Sequence, residues 1–174
     1  MVVGKFAGRS AVLAIPVVVG LLVASVLVVV FYDSFPAVSY LLFAALNVAL
    51  GLGFLAIAIA LSMSTTVSRR VTAGAFGVYL VLAVLWSELV DVFIVLLWRF
   101  RPEALADPPG WSVLLRLSSP VESYNRLVTT LFDSTAGSAY TGPGAPWFVD
   151  SWVAVLLLVA WVAVPLSVGY LRFD

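Results

Sequence analysis

Residues Ala73 to Trp98 read AGAFGVYLVLAVLWSELVDVFIVLLW, an apolar run interrupted near its middle by two carboxylates, Glu88 and Asp91. A helix of about 26 residues exceeds the roughly 30 Å of a bilayer's hydrocarbon, so this segment is expected to tilt or to protrude on one side. Hydrocarbon tolerates carboxylates only where a bundle interior or a watery cavity receives them. The other apolar segments of the chain are therefore expected to pack around this one.

Three such segments exist. One runs over residues 11–31 behind the basic stretch Gly4-Lys5-Phe6-Ala7-Gly8-Arg9, one over 39–61, and one over 151–171. Each is long enough to cross a membrane as a helix. The first has the charged lead of a secretory signal but ends Val-Val-Val-Phe-Tyr-Asp, without a small-residue cleavage site, and is read as a span. The expected fold is an all-α integral membrane bundle with four transmembrane helices, residues 1–174 forming a single membrane domain. Composition agrees: 63% of residues are hydrophobic and 10% charged, against about 45–50% and 25% in soluble domains.

Between the third and fourth spans, residues 99–150 form an outer region with structure of its own. Ser119 is placed to cap a helix, Pro120 to occupy its first turn and Glu122 to close a capping box. Val121, Tyr124, Val128 and Leu131 then mark one face of an amphipathic helix. Trp111 to Leu117 reads as a second short helix. Both are expected to lie at, or dip into, the membrane interface, and the alternative is a solvated loop.

Charge placement gives an orientation. An even number of crossings puts both termini on one side with the 62–72 connection, and that side carries Lys5, Arg9, Arg69, Arg70 and Arg172. Arg99, Arg101, Arg116 and Arg126 fall on the other side among six acids, so the short connections decide for cytoplasmic termini in a multi-pass cell-membrane protein.

Glu88 and Asp91, three residues apart, share a helix face and either line a wet pathway or pair with Arg116, Arg126 or bundle hydroxyls. Asn47, in the second span near Gly51 and Gly53, either lines the same pathway or makes an interhelical hydrogen bond. Ser68-Arg69-Arg70 and Gly4-Lys5 either set topology or dock a soluble partner. The chain has no Cys and no His, which removes disulfides, thiolate and imidazole metal sites and a His general base. Two carboxylates alone fall short of the oxygen ligands a hard cation needs. No phosphate-binding loop of the G-x-x-x-x-G-K-[ST] form occurs, so ATP is not hydrolysed by that device in this chain. No catalytic residue, metal or cofactor is assigned. A net charge of zero gives no general attraction to nucleic acid.

Several short motifs resemble type-2 ABC exporter permeases. They are Gly4-Lys5 ahead of a span, Leu61-Ser62 through Ser68-Arg69-Arg70, Trp86-Ser87-Glu88-Leu89, and Leu114-Leu115-Arg116-Leu117-Ser118-Ser119-Pro120 through Tyr124 with one extra Ser. The pattern is similar to haloarchaeal members and to the group that includes the nitrous-oxide-reductase maturation permease. The resemblance implies six spans, of which this chain would lack the first two, a cytoplasmic ABC ATPase as partner, and a dimer of permeases in membrane lipid. It further implies that Gly4, Lys5, Arg9, Ser68, Arg69 and Arg70 dock the ATPase, and that the paired short helices lie on the outer side. The expected function is passage of a solute with ATP hydrolysed elsewhere. The alternatives are an ion- or proton-coupled carrier or channel using Glu88 and Asp91, and a non-transporting scaffold.

Overall fold

The computed structural model describes residues 2–31, 36–64, 67–97, 110–132 and 147–171, and every regular element among them is helical. Among these described residues seven α-helices follow in order: α1 (Val2–Phe31), α2 (Ala37–Ser64), α3 (Ser68–Tyr79), α4 (Trp86–Leu97), α5 (Gly110–Leu117), α6 (Pro120–Leu131) and α7 (Ser151–Leu171). A π-helical turn, Leu80–Leu85, joins α3 to α4, so that Ser68–Leu97 is one continuous span. A short 3-10 turn at Trp147–Val149 leads into α7. Four of the described helical stretches are long and apolar enough to cross a membrane: Ala14–Phe31, Ala37–Ser64, Ser68–Leu97 and Ser151–Leu171.

Two boundaries differ from the sequence expectation. The Gly4–Arg9 stretch forms the first turns of α1 rather than a separate lead. The polar 62–72 connection shrinks because α2 continues to Ser64 and α3 starts at Ser68. The hydroxyls near these ends bond back along their own helices: Ser64 Oγ donates to the Leu61 carbonyl and Thr72 Oγ1 to that of Ser68.

The centre of the bundle is the pairing of α2 with α7. A methyl on Gly53 would lie 3.6 Å from Trp161 Cβ, and one on Gly169 would lie 3.4 Å from Ala60 Cα. Residue numbers rise together along the two helices, so α2 and α7 run parallel, as spans separated by one intervening crossing must. Small residues set the closeness of this contact: Gly53, Ala56, Ala154 and Gly169 are all buried. Close backbone approach and dispersion, rather than hydrophobic exclusion, hold helices together in lipid.

By contrast α1 stands at the edge. None of the Ala14–Phe31 window is buried, and its polar tie to the bundle is the Tyr40 hydroxyl donating to the Leu21 carbonyl.

Candidate functional site: a re-entrant hairpin held at mid-membrane

Helices α5 and α6 form a hairpin that inserts between the third span on one side and α2 and α7 on the other. Sequence dictates its shape. The Ser118–Ser119 turn is followed by Pro120, which suits the first turn of a helix, and Ser119 in extended conformation caps α6 by accepting from the Val121 amide at 3.3 Å. Ser118 Oγ closes the end of α5 by donating to the Leu115 carbonyl at 2.6 Å. The face of α6 that enters the bundle carries Pro120, Ser123 and Leu127, all buried. Leu117 and Leu127 pack with Ala154 and Leu158 of α7, and Leu46, Leu50, Tyr124, Val153 and Leu157 pack against that cluster.

The tip penetrates deeply. Trp161 donates its indole N–H to the Ser118 carbonyl at 2.8 Å. Trp161 lies ten residues into α7, about 15 Å of helix rise from its start, or half the hydrocarbon thickness. At the same level Ser119 Oγ donates to the Leu82 carbonyl at 2.8 Å, and Leu82 belongs to the π turn. Ser112, Ser119 and Ser123 are fully buried. Ser123 Oγ is satisfied by the Leu117 carbonyl at 2.6 Å. Non-helical backbone survives at this depth only because protein groups complete its hydrogen bonds.

Three further polar contacts tie the hairpin to the third span nearer the membrane surface. Trp86 donates to the Leu115 carbonyl at 2.9 Å, Ser87 Oγ donates to Glu122 at 2.8 Å, and Arg116 forms an ion pair with Asp91. On the far side Arg126 Nε donates to the Val149 carbonyl at 3.0 Å and Ser151 Oγ to Thr130 Oγ1 at 3.2 Å. Aromatic edges close both rims: Phe93 meets Trp111, and Phe43 meets Phe132.

The residues singled out from sequence separate into distinct places. Asp91 faces the hairpin, whereas Glu88 is exposed and has no hydrogen-bond or ion-pair partner among the described residues. The reason is angular. The hairpin occupies the arc of Ser87, Val90, Asp91 and Ile94, and Glu88 lies one helical step, about 100°, beyond Ser87. Both carboxylates also lie toward the surface, since Glu88 is six residues, about 9 Å of rise, from the mid-depth Leu82.

Asn47 donates to the Phe43 carbonyl at 2.8 Å and shares a hydrogen bond with the Tyr124 hydroxyl, joining α2 to α6. Burial raises the Tyr124 hydroxyl above its ordinary pKa, and the Asn47 bond offsets part of that rise. Glu122 is engaged by Ser87 instead of closing a capping box, because the Ser119 amide donates to the Arg116 carbonyl. Ser68, Arg69 and Arg70 are exposed at the start of α3. Gly4, Lys5 and Arg9 lie on α1, with their side chains outside the described set.

Trp161, Ser87 and Ser123 did not stand out in the sequence as contacts of the hairpin. Trp161 carried the one usable signal: a Trp far from either end of a span cannot serve as an interfacial anchor, and its N–H needs an acceptor inside the bundle.

Four helices among the described residues that are long and apolar enough to cross a membrane, with a hairpin seated at the mid-depth of α7, define a multi-pass membrane protein. The model of a known family, described as ABC-2 family transporter protein, matches residues 1–174, and the chain belongs to that family. Its role is accordingly that of a transport component, the permease of an ABC transporter. No curated protein matches the sequence.

Proposed function

We propose that this chain forms the membrane passage of an ATP-driven exporter, as a dimer of permeases in the cell membrane with both termini cytoplasmic, ATP being hydrolysed by a separate subunit. The family match along all 174 residues carries the reading. The Ser68-Arg69-Arg70 end then faces the ATPase and, with Gly4, Lys5 and Arg9, docks it, while the hairpin enters from the outer side. The likeness of its motifs to haloarchaeal-type permeases and to the nitrous-oxide-reductase maturation group supports the permease reading and leaves the solute open. The carrier or channel reading is less well supported: Asp91 is engaged by Arg116 and Glu88 points to another face. In this reading the two carboxylates and Asn47 brace and flank the hairpin rather than relay protons.

The test is affinity capture of the intact protein from its native membranes, alone and with Arg69→Glu and Arg70→Glu together. A stoichiometric ATP-binding subunit, lost on charge reversal, is the expected outcome. Retention of the chain without any ATP-binding partner overturns the proposal.

A further inference from the structure

The π turn of the third span sits where the hairpin tip touches it. Ser119 Oγ donates to the carbonyl of Leu82 inside that turn, and residues that follow it, Trp86, Ser87 and Asp91, make further side-chain hydrogen bonds from this span to the hairpin. A π turn holds one residue more than an α turn, and an α-helical residue is worth about 100° of rotation and 1.5 Å of rise. The π turn therefore sets the phase of α4 relative to α3. With the third span wound as a uniform α-helix, Ser87 and Asp91 would point about 100° away from Glu122 and Arg116.

We propose that the Ser119–Leu82 hydrogen bond is a latch. It holds the third span in its π turn, and its release lets the span rewind as an α-helix and turn its outer half off the hairpin. The Asp91–Arg116 and Ser87–Glu122 contacts then part together, because Ser87 and Asp91 lie on one rotating helix. The hairpin's other seat is unaffected: Trp161, Val149 and Ser151 hold it to α7 and the segment before it. The latch thus frees one wall of the hairpin and leaves the other fixed.

The absence of native cysteines permits a direct test in the full chain. A Ser87→Cys/Glu122→Cys pair reports the latched phase, since the native groups are 2.8 Å apart. A Thr130→Cys/Ser151→Cys pair reports the fixed seat, where the native oxygens are 3.2 Å apart. Disulfide yield is measured in membranes by mass spectrometry, in the otherwise wild-type chain and with Ser119→Thr, Ser119→Ala or deletion of Ala83, which removes one residue from the π turn.

The first disulfide is expected to form fully in the wild type and with Ser119→Thr. With Ser119→Ala the ratio of crosslinked to free chain should fall about fivefold or more, the worth of one hydrogen bond. With the deletion the disulfide should still form fully, because a uniform α-helix one residue shorter keeps Ser87 in its latched phase. The second disulfide should form equally in all four. Loss of Ser87–Glu122 pairing in the deletion chain would show that the π turn does not set the phase. Undiminished pairing in Ser119→Ala would show that the hydroxyl does not hold it. Parallel loss of the second disulfide would mean that the hairpin has come away whole. Each of these results overturns the latch.

Discussion

Trp161, at the middle of α7, donates its indole N–H to the carbonyl of Ser118 at the tip of the hairpin, across 2.8 Å. One side chain thereby completes the hydrogen bonding of a turn held about 15 Å from either surface, where water is not at hand to do so. Phe in place of Trp161 keeps an aromatic ring and removes the donor. Trp161→Phe is expected to destabilise the purified protein by about 1–2 kcal/mol, read as a lower midpoint in an unfolding titration with SDS. An unchanged midpoint would mean that the turn does not depend on this donor.

The two buried glycines of the α2–α7 contact should respond differently. A methyl at Gly53 meets only Trp161 Cβ, at an ordinary 3.6 Å, whereas one at Gly169 meets Met63 Sδ at 3.2 Å and the Ala60 backbone at 3.4 Å. Gly53→Ala is expected to be near neutral. Gly169→Val should cost about 1–3 kcal/mol by forcing the helices apart, visible in the same titration. Equal effects at the two positions would contradict the packing described.

Asp91 and Arg116 are 29% and 19% exposed, so their pairing falls between the surface and buried extremes. Asp91→Asn and Arg116→Gln should each cost about 1–3 kcal/mol, and the double variant clearly less than their sum. A double-mutant cycle measures that coupling directly. Strict additivity would remove the ion pair as a structural tie.

Tyr124 offers a pH test outside the spanning helices. Burial raises its hydroxyl pKa, with the Asn47 hydrogen bond partly offsetting the rise. A raised pKa in the folded state means that the protonated hydroxyl's contribution is complete below the ordinary tyrosine value of about 10 and is lost as pH climbs through the folded value. In an alkaline titration followed by tyrosinate absorbance, Tyr124 should ionise late, above the ordinary tyrosine value. Tyr124→Phe should delete that late step alone.

Much of this architecture could be read from residue order. The fourth span coincides with 151–171, the other three agree to within a few turns, and Ser119 with Pro120 announced the start of α6. These features depend on apolar run length and on local backbone chemistry, both of which are written in adjacent residues. The π turn was not legible, because Leu80–Leu85 is as apolar and helix-compatible as its surroundings, and a phase shift leaves no compositional trace. Nor was the parting of Glu88 from Asp91. Three-residue spacing places two carboxylates near one another, but which of them meets a partner depends on where a hairpin some 25 residues further along inserts, as the Asp91–Arg116 pair illustrates. Likewise Leu127 and Ser123 face the interior because α6 leans on α7, a tertiary fact that shifts the buried stripe away from Val128.

The parallel pairing of α2 with α7 has a consequence for biosynthesis. The chain emerges from the ribosome N-terminus first, so α2 enters the bilayer without its principal neighbour and waits for about one hundred residues to be made. The hairpin emerges before α7 as well, yet its tip and its apolar face are completed by Trp161, Ala154 and Leu158. Its polar turn cannot be settled at mid-membrane until those residues arrive. Assembly therefore waits on α7: a helix translated after the others is the one on which the earlier segments take their places.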